Sequence, residues 1–322
     1  MLIRIKIIVK TKRGTIVSEI NLKKQKTAKI QLKKTNTKLK TKLEPYVFLL
    51  PSLLLFSLFV YYPFFKTLYM SFGLTNAHGK FQEFIGLQNY VEIFTSPDFI
   101  NSLVVTMEFV IITTLPSVII GLALALLANN KVKGLGISKV MFAVPIAVSS
   151  ASASIIWGII FHPSIGMLNN ILKTNIGWLI DPHWALLSVA FVTIWMNVGV
   201  NFIFIFAGLK NVPQEILESS SIDGARYFTK LFKIIIPMIS PTLFFMVFMD
   251  IMNAFQSFGQ VNILTNGGPG NSTNVLVFSI YREAFFNGRF DTASAQSIIL
   301  FIIMFVIAML QFSYEKKGVH YS

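Results

Sequence analysis

Residues 211–241 read Asn211-Val-Pro-Gln-Glu-Ile-Leu-Glu-Ser-Ser-Ser-Ile-Asp-Gly-Ala-Arg-Tyr-Phe-Thr-Lys-Leu-Phe-Lys-Ile-Ile-Ile-Pro-Met-Ile-Ser-Pro241. Polar and charged at its start, this stretch sits between two long apolar runs and reads as helix–turn–helix. Pro213 suits a first helical turn, where its missing N–H costs nothing, and Glu215 favours the positive end of the same helix. Ile216, Leu217 and Ser220 give that helix a small apolar face. Asp223-Gly224 signals a turn, because Gly adopts a positive φ that costs other residues ~1–2 kcal/mol. A second helix is expected from about Ala225, with Phe228, Leu231 and Phe232 on one face, running into the next apolar run. On spacing alone, a hairpin lying against lipid headgroups explains the pattern as well as a protein contact does.

The runs on either side decide the solvent. The chain has 322 residues, 54% hydrophobic and 13% charged, and a mean hydropathy of +0.65. Soluble domains carry about 25% charged residues. Six stretches have the ~20 mostly apolar residues needed to cross ~30 Å of hydrocarbon: Tyr46–Lys66, Ser102–Ala128, Lys139–Phe161, Trp184–Gly208, Ile234–Phe258 and Ala293–Phe312. Pro51, Pro116 and Pro145 fall within or near them, as membrane helices tolerate. Trp157, Trp178, Trp184, Tyr61 and Tyr62 lie near their ends, where amphipathic rings prefer to be.

Charge sets the expected orientation. Residues 1–44 carry fourteen of the 28 Lys and Arg, against Glu19 and Glu44. No small-residue cleavage site follows the first apolar stretch, so this run reads as a basic cytoplasmic tail drawn to anionic headgroups rather than a secretory signal. Without interleaved aromatics it does not read as a nucleic-acid arm. With the N-terminus inside, the inner segments hold 23 Lys and Arg and the outer ones five: Lys66, Lys80, Lys173, Arg282 and Arg289. The positive-inside rule then places both termini in the cytoplasm. The expected organisation is a tail over 1–44 and a transmembrane domain over 45–322, with a cytoplasmic loop at about 209–233.

Several chemistries are missing. The chain has no Cys, which removes disulfides, zinc–thiolate sites and Cys nucleophiles. His78, His162, His183 and His320 are scattered singly. There is no G-x-x-x-x-G-K-[ST] to cradle ATP phosphates, no HExxH and no nucleophile elbow. The Gly267-Gly-Pro-Gly270 run reads as turn chemistry. No catalytic residue, metal site or cofactor is expected.

Glu218-Ser-Ser-Ser-Ile-Asp-Gly224-Ala225, followed after eleven residues by Pro237, resembles the "EAA" loop of ABC-importer transmembrane subunits. Ser219 and Ser220 stand where Ala is usual, and Ile235-Ile236-Pro237 ends the motif; both changes keep the residues small or apolar. Further stretches match the sugar-permease branch in order: Gly86-Leu-Gln-Asn-Tyr90, Gly121-Leu-Ala-Leu-Ala125, Ala207-Gly-Leu209, Leu264-Thr-Asn-Gly-Gly-Pro-Gly270 with Ser272-Thr273, Tyr281-Arg-x-Ala-Phe285 and Ala293-Ser-Ala295. The likeness runs from about residue 45 to the C-terminus. It is similar to the first-type permease of glucoside, maltose or glycerol-phosphate importers. The resemblance implies an all-α integral membrane protein with the type I importer fold, in a bacterial or archaeal cytoplasmic membrane. The implied partners are a second homologous permease, two ATP-binding subunits, an extracytoplasmic solute-binding protein and a sugar, with no nucleic acid. In this family the first loop helix couples to the ATPase. That role carries over to Glu215, Glu218, Ser219, Ser220, Asp223, Gly224, Ala225 and Pro237.

Polar residues within the spans are the pathway candidates, because ionisable groups in lipid face a bundle interior or a cavity. Glu108 and Asp250 are the acidic ones. Asp250, Asn253, Gln256 and Ser257 share one helix face, and Asn197 and Asn201 stack at i, i+4. Amides and carboxylates bordered by Phe255, Phe258 and Trp195 suit a sugar's hydroxyls. The Asp250 face is assigned to the pathway; the Asn pair fits a pathway or a helix–helix hydrogen bond of ~0.6 kcal/mol equally. Glycerol-phosphate or another small polar solute is the alternative cargo, though no Lys or Arg lies within a span interior to meet a phosphate. An ion-driven secondary transporter is the alternative class; it is disfavoured by the absence of matching half-sequences.

Overall fold

The computed structural model describes residues 45–46, 48–129 and 135–318, so the expected basic tail lies outside the described residues. The chain divides into two units, Met1–Lys66 and Thr67–Ser322. Helix α1 (Phe48–Met70) begins in the first and is long and apolar enough to cross a membrane. It contains a π-helical turn at Ser57–Tyr61.

The second unit is built on three more such helices: α3 (Pro97–Asn129), α7 (Pro182–Lys210) and α13 (Phe290–Gly318). With no water in hydrocarbon, a run of this kind must satisfy its backbone internally, and a helix does so. At 1.5 Å per residue the 33 residues of α3 extend about 50 Å, so its ends overhang the hydrocarbon layer. Helix α3 and α7 run parallel. Phe99, Val105 and Phe109 pack with Leu186 and Val189 at one end, and Ala125 and Ala128 pack with Phe202, Ile205 and Leu209 at the other. On the buried face of α3, Thr106, Thr113 and Ser117 return their hydroxyls to the carbonyls four residues earlier, at 2.6–2.7 Å. Their polar atoms are thereby satisfied and the face stays small. Gly121 makes the closest approach: a Cβ there would fall 2.5 Å from the Asn201 Cβ. Without the pull of water, such tight van der Waals fits hold membrane helices together.

The third and fifth expected spans are not straight. Helix α4 (Leu135–Ala143) passes through a 3₁₀ turn at Val144–Ala147 and stops. Helix α5 (Ser150–Ile160) restarts at 105° to it. Pro145 has no N–H to continue the helix, Val148 is extended, and the Ser149 Oγ caps the new helix by accepting from the Ser152 N–H at 3.2 Å. The fifth span is likewise a bent pair, Tyr227–Met238 and Ser240–Phe255, meeting at 71°. Here Pro237 and Pro241 flank Ile239, the joint. A π-helical stretch, Leu231–Ile235, precedes Pro237 and absorbs its missing hydrogen bond. The continuous spans expected at Lys139–Phe161 and Ile234–Phe258 are therefore corrected to broken ones. Among the described residues, four unbroken helices and two bent pairs together supply up to six crossings.

In chain order the smaller pieces are a two-stranded antiparallel sheet, β1 (Gly73–Thr75) and β2 (Phe81–Phe84); α2 (Gln88–Thr95); α6 (Met167–Leu172); α8 (Gln214–Ile222); α9 (Tyr227–Met238) and α10 (Ser240–Phe255), the bent pair; α11 (Phe258–Leu264); and α12 (Leu276–Tyr281), which ends in a π turn, Arg282–Phe286. Sequence motifs act here as pins. The Asn89 amide donates to the carbonyls of Ser71 (3.0 Å) and Gly73 (2.9 Å), and the Tyr90 hydroxyl donates to Ser71 Oγ. The glycine-rich loop turns through positive φ at Asn266, Gly267, Gly270 and Asn271. Asn101 and Asp98 at the start of α3 hold that loop through the Asn271 carbonyl and amide.

Candidate functional site

Two groups of residues matter: the hairpin after α7 and the polar residues of α7 and α10. Pro213 is the N-cap of α8, one position before the expected first turn, and Glu215 lies in the first turn. The helix ends in a Schellman motif. The Gly224 N–H donates to the Ser221 carbonyl at 3.1 Å, and the Ala225 N–H donates to the Ser220 carbonyl at 3.0 Å. Gly224 has φ +74°, as this motif demands. Nothing lies within 4 Å of a Cβ placed there, so backbone conformation rather than space requires the glycine.

The serines explain themselves. Ser219 Oγ donates to the Ile216 carbonyl (3.1 Å), and Ser220 and Ser221 both donate to the Leu217 carbonyl (2.8 Å). Folded onto their own helix, these hydroxyls leave an outline close to that of alanine. Lys230 donates its ammonium to Ser221 Oγ and ties the two arms of the hairpin.

One side of the hairpin is anchored. Ser220 is buried, and Leu217 packs on a cluster formed by Leu209, Val212, Ile239 and Met246, joined by Ile235 and Met238. The other side is bare: Glu215, Glu218, Ser219 and Asp223 are exposed, and Ile222 is 87% exposed. The second arm divides its three expected one-face residues by exposure. Leu231 is buried, but Phe228 and Phe232 are 69% and 63% exposed. Pro237 sits at the joint between α9 and α10.

Asn201 and Asp250 are brought together. The Asn201 amide donates to Asp250 Oδ2 at 2.8 Å and to the Asn197 carbonyl at 3.1 Å. Asn201 is 0% and Asp250 3% exposed, so the carboxylate has found its partner inside the packing of α7 on α10. Helix α10 ends at Phe255, so Gln256 caps it and Ser257 follows it. Asn253 and Gln256 are exposed, and Ser257 is buried with its hydroxyl on the Asn253 carbonyl. Phe255 is enclosed in the core, Trp195 lies against Trp157, and Phe258 packs on Phe278 and Tyr281. Glu108 is exposed on an α3 stripe otherwise made of Val104, Ile111 and Leu115. A separate groove of about 490 Å³ is lined by Trp157, Trp178, Trp184, Phe161 and Phe191, with Ser188 as its only hydroxyl side chain. It offers almost nothing to a sugar's hydroxyls.

Sequence reasoning missed the Asn201–Asp250 bond and both helix breaks. The former joins positions 49 residues apart, which periodicity does not link; the latter were signalled by Pro145, Pro237 and Pro241.

Residues 102–316 match the family described as "Binding-protein-dependent transport system inner membrane component". The sn-glycerol-3-phosphate transport system permease protein UgpA of Agrobacterium fabrum is 36% identical over 284 residues, covering 87% of this chain and 97% of that protein. Its namesake from Brucella abortus is 33% identical over 285 residues, with 87% and 97% covered. Among solved structures, a bacterial ABC transporter involved in the import of the acidic polysaccharide alginate superposes with a TM-score of 0.77 at 23% identity, over 86% of this chain and 96% of that one. A second structure of an alginate ABC transporter, in complex with a periplasmic protein holding an alginate pentasaccharide, gives 0.76 at 21% identity, with 86% and 97% covered. At these identities the likeness is one of fold.

Proposed function

As the chain belongs to the family of binding-protein-dependent transport system inner membrane components, and is thus a multi-pass permease subunit of such an importer, we propose that it forms half of a path for a sugar or oligosaccharide and is driven through the hairpin at 211–233. The carrying observation is the build of that hairpin. Helix α8 is closed by a Schellman turn, tied by Lys230 to α9, and joined through α9 to the α10 span. A short rigid helix of this kind transmits the rigid-body motion of a docked ATPase into a span. Glu215, Glu218 and Ser219 form the contacting face; Asp223, Gly224 and Ala225 set its angle; Ser220 seats it; and Pro237 places the bend between lever and span. Both termini and the hairpin lie in the cytoplasm on this reading, with a second permease, two ATPase chains and an outside solute-binding protein completing the assembly.

Along the path, the Asn201–Asp250 bond holds α7 to α10, with Asn197 behind it, and Ser257 secures the end of α10. Asn253, Gln256 and Glu108, all exposed, are the polar groups offered to a solute, although the Gln256 amide also donates to the Met252 carbonyl at 3.2 Å. A second reading, glycerol-phosphate, is favoured by the UgpA relatives, which are sn-glycerol-3-phosphate transport system permease proteins. It requires the partner subunit to supply cations, since no Lys or Arg lies in the interior of an expected span.

The test is uptake by the reconstituted importer. ATP-driven uptake that needs the loaded binding protein and stops with vanadate is the expected result, and the competing solute identifies the cargo. Ion-gradient-driven uptake by this chain alone would overturn the proposal.

A further inference from the structure

At the end of the bundle opposite the hairpin, α2, the start of α3, the π turn after α12 and the start of α13 enclose a polar cavity of about 140 Å³. Ile93 and Phe99, both buried, supply its apolar lining. Three carboxylates line it, Glu92, Asp98 and Glu283, against one cation, Arg289. Arg289 pairs with Glu92 at the rim, where both side chains are about half exposed. Burial works to lower the Arg289 pKa, but the hydrogen bond and charge of Glu92, with the charges of Glu283 and Asp291, leave it raised. Asp98 accepts from the Asn271 amide.

Two oxygens in this cavity have no partner. Gln296 is 3% exposed, and its Oε1 is buried without a hydrogen bond; so is Glu283 Oε2. Both are acceptors, and a buried acceptor left unpaired is costly. The cavity therefore calls for a donor, and its excess of carboxylates calls for a positive one. A bare metal ion is a poor fit, because among the described residues no three carboxylates or histidines converge closely enough to hold one. A guanidinium or ammonium suits better. It carries several N–H donors and reaches acceptors set apart on different walls.

We infer that this socket receives an arginine or lysine side chain of the extracytoplasmic solute-binding protein and so seats that protein on this subunit. The inference rests on the importer reading and orientation given above, which put this end outside. Glu92 and Asp98 at the rim draw the cation in by charge, and Glu283 and Gln296 bind it at depth. Contacts of this kind set association rate and salt dependence at the rim, and lifetime at depth.

The test uses the whole importer in nanodiscs and the solute-binding protein that co-purifies with it, with the dissociation constant measured at low and high salt. Glu283→Gln keeps shape and removes charge. It should weaken docking about tenfold at low salt and flatten the salt dependence. Gln296→Met should weaken it by a smaller factor without changing the salt slope. Glu83→Gln, an exposed acid on β2 away from the socket, should change docking less than twofold. Restoration of Glu283→Lys docking by an Arg-to-Glu or Lys-to-Glu change on the binding protein would identify the inserted residue. Wild-type docking and salt dependence in both Glu283→Gln and Gln296→Met would mean that the socket holds water only, and would overturn the inference while leaving the importer reading intact. A wild-type importer that docks no binding protein but drives uptake by itself would overturn both.

Discussion

Replacing Gly224 separates backbone strain from crowding, because its surroundings are open. A Cβ built at this position meets nothing within 4 Å, so the added Cβ itself collides with nothing. The cost is conformational: φ is +74°, a region that non-glycine residues enter at ~1–2 kcal/mol, with Asn several-fold better tolerated and β-branched residues worst. The chain relieves that strain by opening the Schellman turn, losing the two bonds at 3.1 and 3.0 Å, and fraying the end of α8 that carries Asp223. A shift of 1–2 kcal/mol changes the ratio of closed to open turn by about 5–30-fold. Substrate-stimulated ATP hydrolysis in proteoliposomes and pull-down of the ATPase subunit should therefore fall in the order Gly224→Asn, Gly224→Ala, Gly224→Val, with Asn close to wild type. Thermal stability of the span bundle should hardly move. Wild-type coupling in Gly224→Val, or equal damage from Asn and Val, would refute the role given to this turn.

Gly121→Val should act in the opposite way, overpacking α3 against Asn201 by about 1–3 kcal/mol and lowering the melting temperature of the purified complex; an unchanged melting temperature would contradict the 2.5 Å approach. Asp250→Asn should preserve assembly, because an amide oxygen still accepts from Asn201, whereas Asp250→Leu should destabilise the bundle by about 1 kcal/mol or more, measured by denaturation in detergent. Asn253→Ala, at an exposed position, should reduce uptake with assembly intact, and normal transport kinetics would remove it from the path. A reporter fused after Lys210 should read cytoplasmic and one after Asn271 external; the reverse at both would overturn the orientation.

Much of this architecture is written locally and could be read locally. Hydropathy places the long helices because lipid imposes a single solution on an apolar run. Asp223-Gly224 reveals its turn because only the backbone of those residues is at stake. The ends of α3 and α13 extend past the expected spans because helices continue through polar overhangs that hydropathy ignores. The breaks at Val148 and Ile239 were harder, since proline inside a membrane helix bends, breaks or leaves it straight according to the neighbours that accept the freed carbonyls. Pro116 is such a contrast, sitting inside an unbroken α3. Gly121 was legible only as part of a motif; its reason, the Asn201 Cβ, lies on another helix. The socket around Gln296 draws on residues from 92 to 296, a grouping that only the fold creates.

The most direct measurement of the central claim, that α8 is the lever held by an ATPase, uses the absence of cysteine from the chain. A single Glu218→Cys, exposed on α8, provides one thiol for a short photoactivatable cross-linker in the assembled complex. The account predicts a cross-link to the ATPase subunit in high yield, reduced in the Gly224→Val background. Labelling by lipid-borne reagents with no cross-link to an ATPase chain would contradict it and make the hairpin a membrane-surface element.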